Sequence, residues 1–307
     1  MATRKVAAVI GGSGFLGRYV VRRLAEDGYV VRVAARRADL AAALRPLGDV
    51  GQIVPLGASI LDEDSLVPVV ESAQVVVNLV GILAERGRAT FQAVHVDGAA
   101  RVARLAASAG VGRLLHVSAI GASPDSRSAY GRSKAAGEEA VLRNMPEATI
   151  VRPSILFGPE DRFTNLFAAL ARYSPVMPVY GAATRIQPVY AADVAEGIRR
   201  ILAGEGHSGE IYEFGGPAIW TMEGVMRWIV ATLGRSRLIF PMPGALAWWQ
   251  AMWLEHLPGR MLTRDQLTML SVDNVASEGT PGLRLLGIDA VPMEMIAPSY
   301  LSRYKIT

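Results

Sequence analysis

The chain opens with an apolar run, Val6–Ile10, then Gly11-Gly12-Ser13-Gly14-Phe15-Leu16-Gly17, and that junction leaves few folds open. A short, continuously apolar segment suits a parallel strand buried on both faces. After the glycines, Leu16, Val20 and Leu24 recur at helical spacing, and Gly28 stands where such a helix would stop. Val30–Ala35 then reads as a second strand. Strand, glycine turn, helix and strand follow one another within the length of a βαβ unit.

Each glycine has its own task in such a turn. Gly11 permits the sharp exit from the strand, Gly14 lets the backbone approach a pyrophosphate, and Gly17 lets the helix pack closely on the strand. Ser13, Phe15 and Leu16 complete the loop and the helix start, where free N–H groups and the helix dipole favour phosphate. The spacing therefore predicts a Rossmann-type dinucleotide site. At the end of the second strand an NAD(H) site needs a carboxylate for the ribose hydroxyls, whereas this chain has Ala34-Ala35-Arg36-Arg37. An arginine forks onto a 2′-phosphate and no carboxylate competes, so the reading is NADP(H), with NAD(H) the lesser alternative.

Apolar runs recur at 52–56, 75–80, 114–117 and 149–151, separated by helical patterns at 63–72, 90–109 and 129–143. This alternation predicts an α/β fold with a doubly wound parallel sheet, whose ligands sit beyond the carboxyl ends of the strands. The residues to examine are Ser59 and Ile60, Asn78, Leu79, Val80 and Gly81, Val117 and Ser118, and Pro153, Ser154 and Ile155. Tyr130 and Lys134 open the next helix, four apart and on one face. Reduction of a carbonyl by hydride needs a proton donor, and a tyrosine beside an ammonium becomes more acidic than its usual value of about 10. Ser118, Tyr130 and Lys134 are the candidate catalytic residues.

The chain has no cysteine, which removes disulfides, thiolate metal sites and cysteine nucleophiles. Its four histidines, His95, His116, His207 and His256, show no metal-binding spacing, so no metal is expected. The net charge of +4 is spread in short pairs such as Arg22-Arg23 and Arg199-Arg200, which argues against nucleic acid. The first strand begins so early that no leader is expected, and no apolar run is long enough to span a bilayer. The expected location is cytoplasmic.

Beyond Gly158 the strict alternation fades. Helices are expected over 161–172 and 191–202 and a strand over 210–214, in a smaller mixed domain richer in Pro and Met. The division predicted is a Rossmann core over 1–157 and a substrate or docking domain over 158–307, with about 186–203 returning to the core. Within 238–257, Leu246, Trp249, Trp253 and Leu257 form a helical stripe that Trp248 and Met252 widen. Two placements are open: a buried helix of the small domain, or an exposed face for a partner, the membrane surface or an apolar substrate.

The glycine turn, Tyr130-x-x-x-Lys134, Arg152-Pro-Ser-Ile-Leu-Phe-Gly158 and Gln187-Pro-Val-Tyr-Ala-Ala-Asp193-Val-Ala195 together resemble the short-chain dehydrogenase/reductase superfamily, in its extended and atypical branch. Leu262-Thr-Arg-Asp-Gln-Leu267, Val272-Asp-Asn-Val275 and Gly282-Leu-Arg-Leu-Leu-Gly-Ile-Asp289 narrow the resemblance. They are similar to the NADPH-binding accessory subunits of respiratory complex I (NADH:ubiquinone oxidoreductase) and their bacterial relatives. The resemblance implies NADPH held as a structural cofactor and partners among peripheral-arm subunits near the membrane. With no presequence expected, the chain reads as a bacterial relative, and the resemblance then implies a peripheral location on the cytoplasmic face of the inner membrane. By the same resemblance Ser59 and Ile60 flank the adenine, Asn78 to Gly81 the central cofactor, and Tyr130 and Lys134 the nicotinamide ribose. Two positions depart from the pattern. Ala119 and Ile120 stand where active members carry a second Ser or Thr, and His95 stands where many relatives have Asn. Two functions are thus carried forward: an accessory protein with a tightly held cofactor, or a working NADP(H)-dependent oxidoreductase or epimerase on an apolar, quinone- or isoprenoid-like substrate.

Overall fold

The computed structural model describes residues 5–204, 208–255 and 262–305. The first half alternates as β1 (Val6–Ile10), α1 (Phe15–Glu26), β2 (Val30–Ala35), α2 (Ala38–Ala42), β3 (Ile53–Gly57) and α3 (Glu63–Val70). It continues with β4 (Val75–Asn78), α4 (Gly98–Ser108), β5 (Arg113–Val117), α5 (Ala129–Asn144) and β6 (Thr149–Pro153). All six expected strands form. The strand expected over 75–80 stops at Asn78, where the side-chain oxygen accepts the Val80 N–H at 3.2 Å and turns the backbone out of the ladder.

The second half contributes β7 (Leu156–Phe157), α6 (Thr164–Tyr173), β8 (Val176–Val179), β9 (Arg185–Ile186), β10 (Val189–Tyr190) and α7 (Ala191–Ala203). Then come β11 (Ile211–Phe214), β12 (Trp220–Thr221), α8 (Met222–Thr232), β13 (Leu238–Pro241), α9 (Gly244–Leu254), α10 (Arg264–Met269) and α11 (Met293–Leu301). The main sheet runs β11-β6-β5-β4-β1-β2-β3, with every neighbouring pair parallel. From β1 the chain winds outward through β2 and β3, then crosses to β4 on the other flank. The switch point, and with it the ligand crevice of such a sheet, lies at the carboxyl ends of β1 and β4.

Apolar side chains from both faces of the sheet build two layers, one against α1 and α7, the other against α3, α4 and α5. A third apolar cluster lies outside the sheet, where Phe157, Met177, Ile186, Met226 and Leu301 bring together α6, α8, α11 and the short strand pairs. Buried ionic contacts join the halves. Arg152, on β6, donates to Glu138 of α5 at 2.9 and 2.6 Å and to Glu213 of β11 at 3.3 Å. Asn274 accepts from Ser154 Oγ at 2.7 Å and donates to the Ile120 carbonyl at 3.2 Å.

The helix expected over 90–109 is not uniform: Gln92–Asp97 is a π-turn that leads into α4. Its wider coil carries the His95 carbonyl against α5, where a Cβ added to Gly137 would overlap that oxygen. The tryptophan-rich helix α9 also settles an open choice. Ala247 and Ala251 are its buried positions, whereas Leu246, Trp248, Trp249 and Trp253 are exposed. Small residues make the packing face, so the helix is not the buried one of the two placements. Leu257 of the expected stripe lies outside the described residues. Among the described residues, no helix is long and apolar enough to cross a membrane.

Gly137→Ala should lower stability by about 1–3 kcal/mol, because backbone on both sides of the contact must give way. Gly244→Ala, at a helix start with nothing within 4 Å of the added methyl, should leave it nearly unchanged. Urea unfolding midpoints of the two variants check this.

Candidate active site

At the first turn Gly11 adopts φ +82° and its N–H bonds the Ala34 carbonyl at 2.9 Å. A Cβ on Gly14 would approach only the Gly11 carbonyl, at 3.2 Å, so the outer side of the turn is open. No side chain caps α1, which leaves its first N–H groups available to an anion. Gly17 is closely packed, but on the backbone of Gly12 and not on the strand. Gly12, to which the glycine spacing assigns no task, is the glycine at the strand–helix contact. A methyl there would come within 2.9 Å of Val33, 3.1 Å of Val9 and 3.2 Å of Val21. Its only sequence signal was the doubling Gly11-Gly12. Ser13 is half-buried in the same turn and Leu16 packs in the core, while the Phe15 ring closes on Gly158 and meets Tyr19 edge-on at 5.8 Å.

The two arginines after β2 are not equivalent. Arg37 forks onto Asp39, Nε to Oδ1 at 3.1 Å and Nη2 to Oδ2 at 2.5 Å, and these hydrogen bonds, with the charge behind them, hold the Asp39 carboxyl below the usual range. The expectation that no carboxylate competes is therefore corrected for Arg37. Arg36 is exposed and has no partner among the described residues. Beyond β3, Ser59 is held by Ser65 Oγ on its N–H at 3.0 Å, and the Ile60 carbonyl accepts from Arg101 at 2.6 Å.

The crevice centre brings together the ends of β4, β5 and the start of α5. Leu79 N–H bonds the Ile10 carbonyl at 2.9 Å, which keeps Leu79, Val80 and Gly81 beside β1. A Cβ on Gly81 would lie 3.7 Å from both His95 Nε2 and Lys134 Nζ. Lys134 Nζ donates to the Val117 carbonyl at 2.9 Å. His95 Nε2 accepts from the Ile82 N–H at 3.0 Å, so the ring proton sits on Nδ1 and is given to Ser133 Oγ at 2.8 Å. Ser133 in turn donates to the Tyr130 carbonyl at 2.7 Å. The Tyr130 ring stands edge-on to His95 at 5.5 Å and to Phe91 at 6.0 Å. Behind them, buried Asn78 contacts His116 Nδ1 at 3.1 Å.

One contact here has no signature in the local sequence. Asp265, on α10, accepts from the Ala129 N–H at 2.6 Å and the Tyr130 N–H at 3.1 Å. With Ser128 Oγ taking the Gly131 N–H at 2.8 Å, it caps the helix that carries Tyr130 and Lys134. Ser154 is committed to Asn274, while Pro153 and Ile155 bond the Ile120 and Val189 N–H groups through their carbonyls. These three frame the crevice by backbone placement, with no free polar side chain among them.

A model of the NAD dependent epimerase/dehydratase family matches residues 7–215. The chain belongs to that family. Its fold is thus that of an NAD(P)-binding family. A Dictyostelium discoideum protein named NADH dehydrogenase [ubiquinone] 1 alpha subcomplex subunit 9, mitochondrial, is 34% identical over 299 residues, 95% of this chain and 83% of that one. A Caulobacter vibrioides protein named ceramide reductase is 36% identical over 197 residues, 64% of this chain and 61% of its own. Among solved structures, an NADPH-dependent quinone oxidoreductase from Escherichia coli, complexed with NADPH, has a TM-score of 0.77 at 19% identity, covering 96% of this chain and 99% of that one.

Electrostatics set what this family member's crevice can do. Burial pushes His95 down to about 3, and His116 well below its usual value, so both are neutral at pH 7. Burial lowers Lys134 from 10.5 to about 8, with Glu138 opposing. Tyr130 does not become more acidic: burial raises it to about 12. The ring lies against Phe91 and His95 while the lysine ammonium turns to the Val117 carbonyl, and desolvation governs. Ser118 Oγ is buried without a hydrogen-bond partner among the described residues. An orphaned hydroxyl after β5, with a protonated phenol and one ammonium on α5, fit a dinucleotide and a carbonyl oxygen.

Below pH 8 the fold must bury Lys134 charged, and that penalty is relieved as pH rises from 8 to 10.5. Lys134→Met should therefore raise stability at pH 7, by at most about 3 kcal/mol, and the gain should shrink above pH 8. Denaturant midpoints measured from pH 6.5 to 10 read the slope, and nucleotide content on the same samples should fall.

Proposed function

We propose that this chain is an accessory subunit of a respiratory NADH:ubiquinone dehydrogenase (complex I) that keeps a tightly held NADP(H). The observation that carries the subunit role is similarity along almost the whole chain, C-terminal half included, to relatives that bear that subunit's name. Arg36 supports the choice of NADP(H), because it is the arginine after β2 that has no partner among the described residues and is exposed to fork onto a 2′-phosphate. Gly11, Ser13, Gly14, Phe15, Leu16 and Gly17 would hold the pyrophosphate, Ser59 and Ile60 the adenine side. Asn78 to Gly81, Val117, Ser118, Tyr130, Lys134 and Pro153 to Ile155 would enclose the nicotinamide half. Partners would be peripheral-arm subunits near the membrane, on the cytoplasmic face of a bacterial inner membrane. The exposed tryptophans of α9 support that placement, since indole rings favour the boundary between apolar and aqueous phases.

Protein purified from its native membranes and then denatured should release about one NADPH per chain and should cofractionate with complex I. Arg36→Ser should weaken NADPH retention about 10-fold or more while sparing NADH, and Arg37→Ser should do much less. An empty site in free soluble protein overturns the subunit reading.

A second reading rests on Ser118 Oγ, which has no hydrogen-bond partner among the described residues and follows the Val117 carbonyl that Lys134 holds, and on the ceramide reductase relative. In it the chain reduces the carbonyl of an apolar substrate. The nicotinamide would supply hydride to the carbonyl carbon, the Tyr130 hydroxyl its proton to the oxygen, and the product is an alcohol. Ser118 would orient the carbonyl and Lys134 the ribose. Tyr130→Phe should then cut turnover at least about 100-fold with NADPH affinity nearly intact, and a turnover that survives it removes this reading.

A further inference from the structure

Four arginines gather at the carboxyl end of α6, and backbone carbonyls rather than acids hold them. Arg237 Nε donates to the Ala171 carbonyl at 2.7 Å, and Arg235 reaches the Arg172 and Tyr304 carbonyls at 3.4 and 3.3 Å. Arg172 donates to the Arg303 carbonyl at 3.4 Å, and Arg303 to the Pro159 carbonyl at 2.9 Å and to Asn165. None of the four pairs with a carboxylate among the described residues. The acids nearest to Pro159 in sequence are spent, Glu160 on Arg18 and Tyr19, Asp161 on Thr164 and Tyr300. The undescribed stretches 256–261 and 306–307 contain no acidic residue. A helix end offsets about half an elementary charge, so most of the four positive charges stay uncompensated.

An apolar face adjoins this cluster. β8 and β13 pair in parallel, with Val176 opposite Leu238 and Pro178 opposite Phe240. Strand alternation sends those side chains to one side and Met177 and Ile239 to the other. Met177 and Ile239 are buried in the third apolar cluster, whereas Val176, Leu238 and Phe240 are exposed. Leu238 follows Arg237 directly, and its N–H bonds the Pro175 carbonyl at 3.0 Å. The exposed Tyr173 ring lies 5.5 Å from the Arg172 guanidinium. Nearly half of the large apolar side chains exposed among the described residues fall within 173–176 and 238–253, so this exposure is concentrated, which marks an interaction surface.

An acidic protein would match the arginines alone. A bilayer surface matches both halves, because apolar side chains enter the acyl boundary while guanidiniums stay at headgroup level. The exposed indoles of α9, separated from β13 by two residues, suit the same boundary. We propose that the end of α6 and the outer face of β8–β13 dock on a bilayer that carries anionic headgroups. The inference rests on the membrane-proximal placement in the subunit reading above, and adds to it the surface and the charge of the lipid. Docking requires neither a nucleotide nor another subunit.

The test is partition of the purified full chain onto sedimented vesicles of phosphatidylcholine, with and without about 30% phosphatidylglycerol. In about 50 mM salt the charged vesicles should bind at least about 10-fold more tightly, and in about 500 mM that preference should fall below about 3-fold. Arg172→Gln with Arg303→Gln should weaken binding to charged vesicles about 10-fold. Leu238→Ser with Phe240→Ser should weaken binding to both kinds of vesicle. Arg143→Gln, at an exposed position of α5, should change it by less than about 2-fold. The lipid and salt comparisons use the unchanged chain, so they decide even where a variant fails to fold. Equal affinity for the two kinds of vesicle, or charge-dependent binding that both folded double variants retain, overturns the proposal. So does tight binding to polyglutamate without binding to vesicles, which assigns the surface to an acidic protein. Charged vesicles bound by a chain that never cofractionates with complex I uphold the surface and remove the subunit reading. Cofractionation with complex I by a chain that binds no vesicles does the reverse.

Discussion

Arg152 holds together elements that hydrophobic packing alone would leave free to shift. It sits near the carboxyl end of β6, with the carboxylates of Glu138 and Glu213, both almost wholly buried, on either side. One carboxylate belongs to the helix that carries Tyr130 and Lys134, the other to the last strand of the sheet. Glu213 takes the Ser277 N–H as well, at 2.7 Å, which ties the C-terminal segment to the same charge. Removing the guanidinium would strand two buried carboxylates, a loss of about 3–5 kcal/mol. The depth and tilt of α5 relative to the strand ends are thus set electrostatically, and the crevice inherits its geometry from that.

The same dependence on distant residues explains what could be read from the sequence. Strands such as Val6–Ile10 and Val30–Ala35 announce themselves because a parallel strand covered on both faces must be apolar throughout. Tyr130 and Lys134 could be paired on one face because helical spacing alone places them there. Asp265 could not be found this way, because its task is to cap a helix 136 residues earlier in the chain, and no local pattern encodes that distance. The π-turn at Gln92–Asp97 has the same apolar periodicity as an α-helix, and only the close approach of Gly137 reveals the extra residue per turn. In α9 nearly every position is apolar, so the sequence offers two faces and tertiary packing chooses the one with the alanines.

Arg36 and Arg37 show a subtler failure. Both are charged, adjacent and at the right strand end, yet Asp39, two residues on, sits where the Arg37 fork closes on it. A composition-level count sees two equivalent guanidinium groups, whereas among the described residues only that of Arg37 has a carboxylate partner.

Retention and turnover of a nucleotide would both draw on one physical quantity, the desolvation of the groups around Tyr130. Two neutral histidines, a phenol at about 12 and an ammonium at about 8 all record the same desolvation. A dry pocket strengthens every hydrogen bond to a bound nucleotide and slows its escape. It also makes the phenol a more reluctant proton donor, since phenolate would form without water. Asp265 links this balance to the C-terminal half. It caps α5 on one side and lines a cavity beside Trp248 on the other. A shift of α10 would therefore loosen the cap at the start of the helix that carries Tyr130.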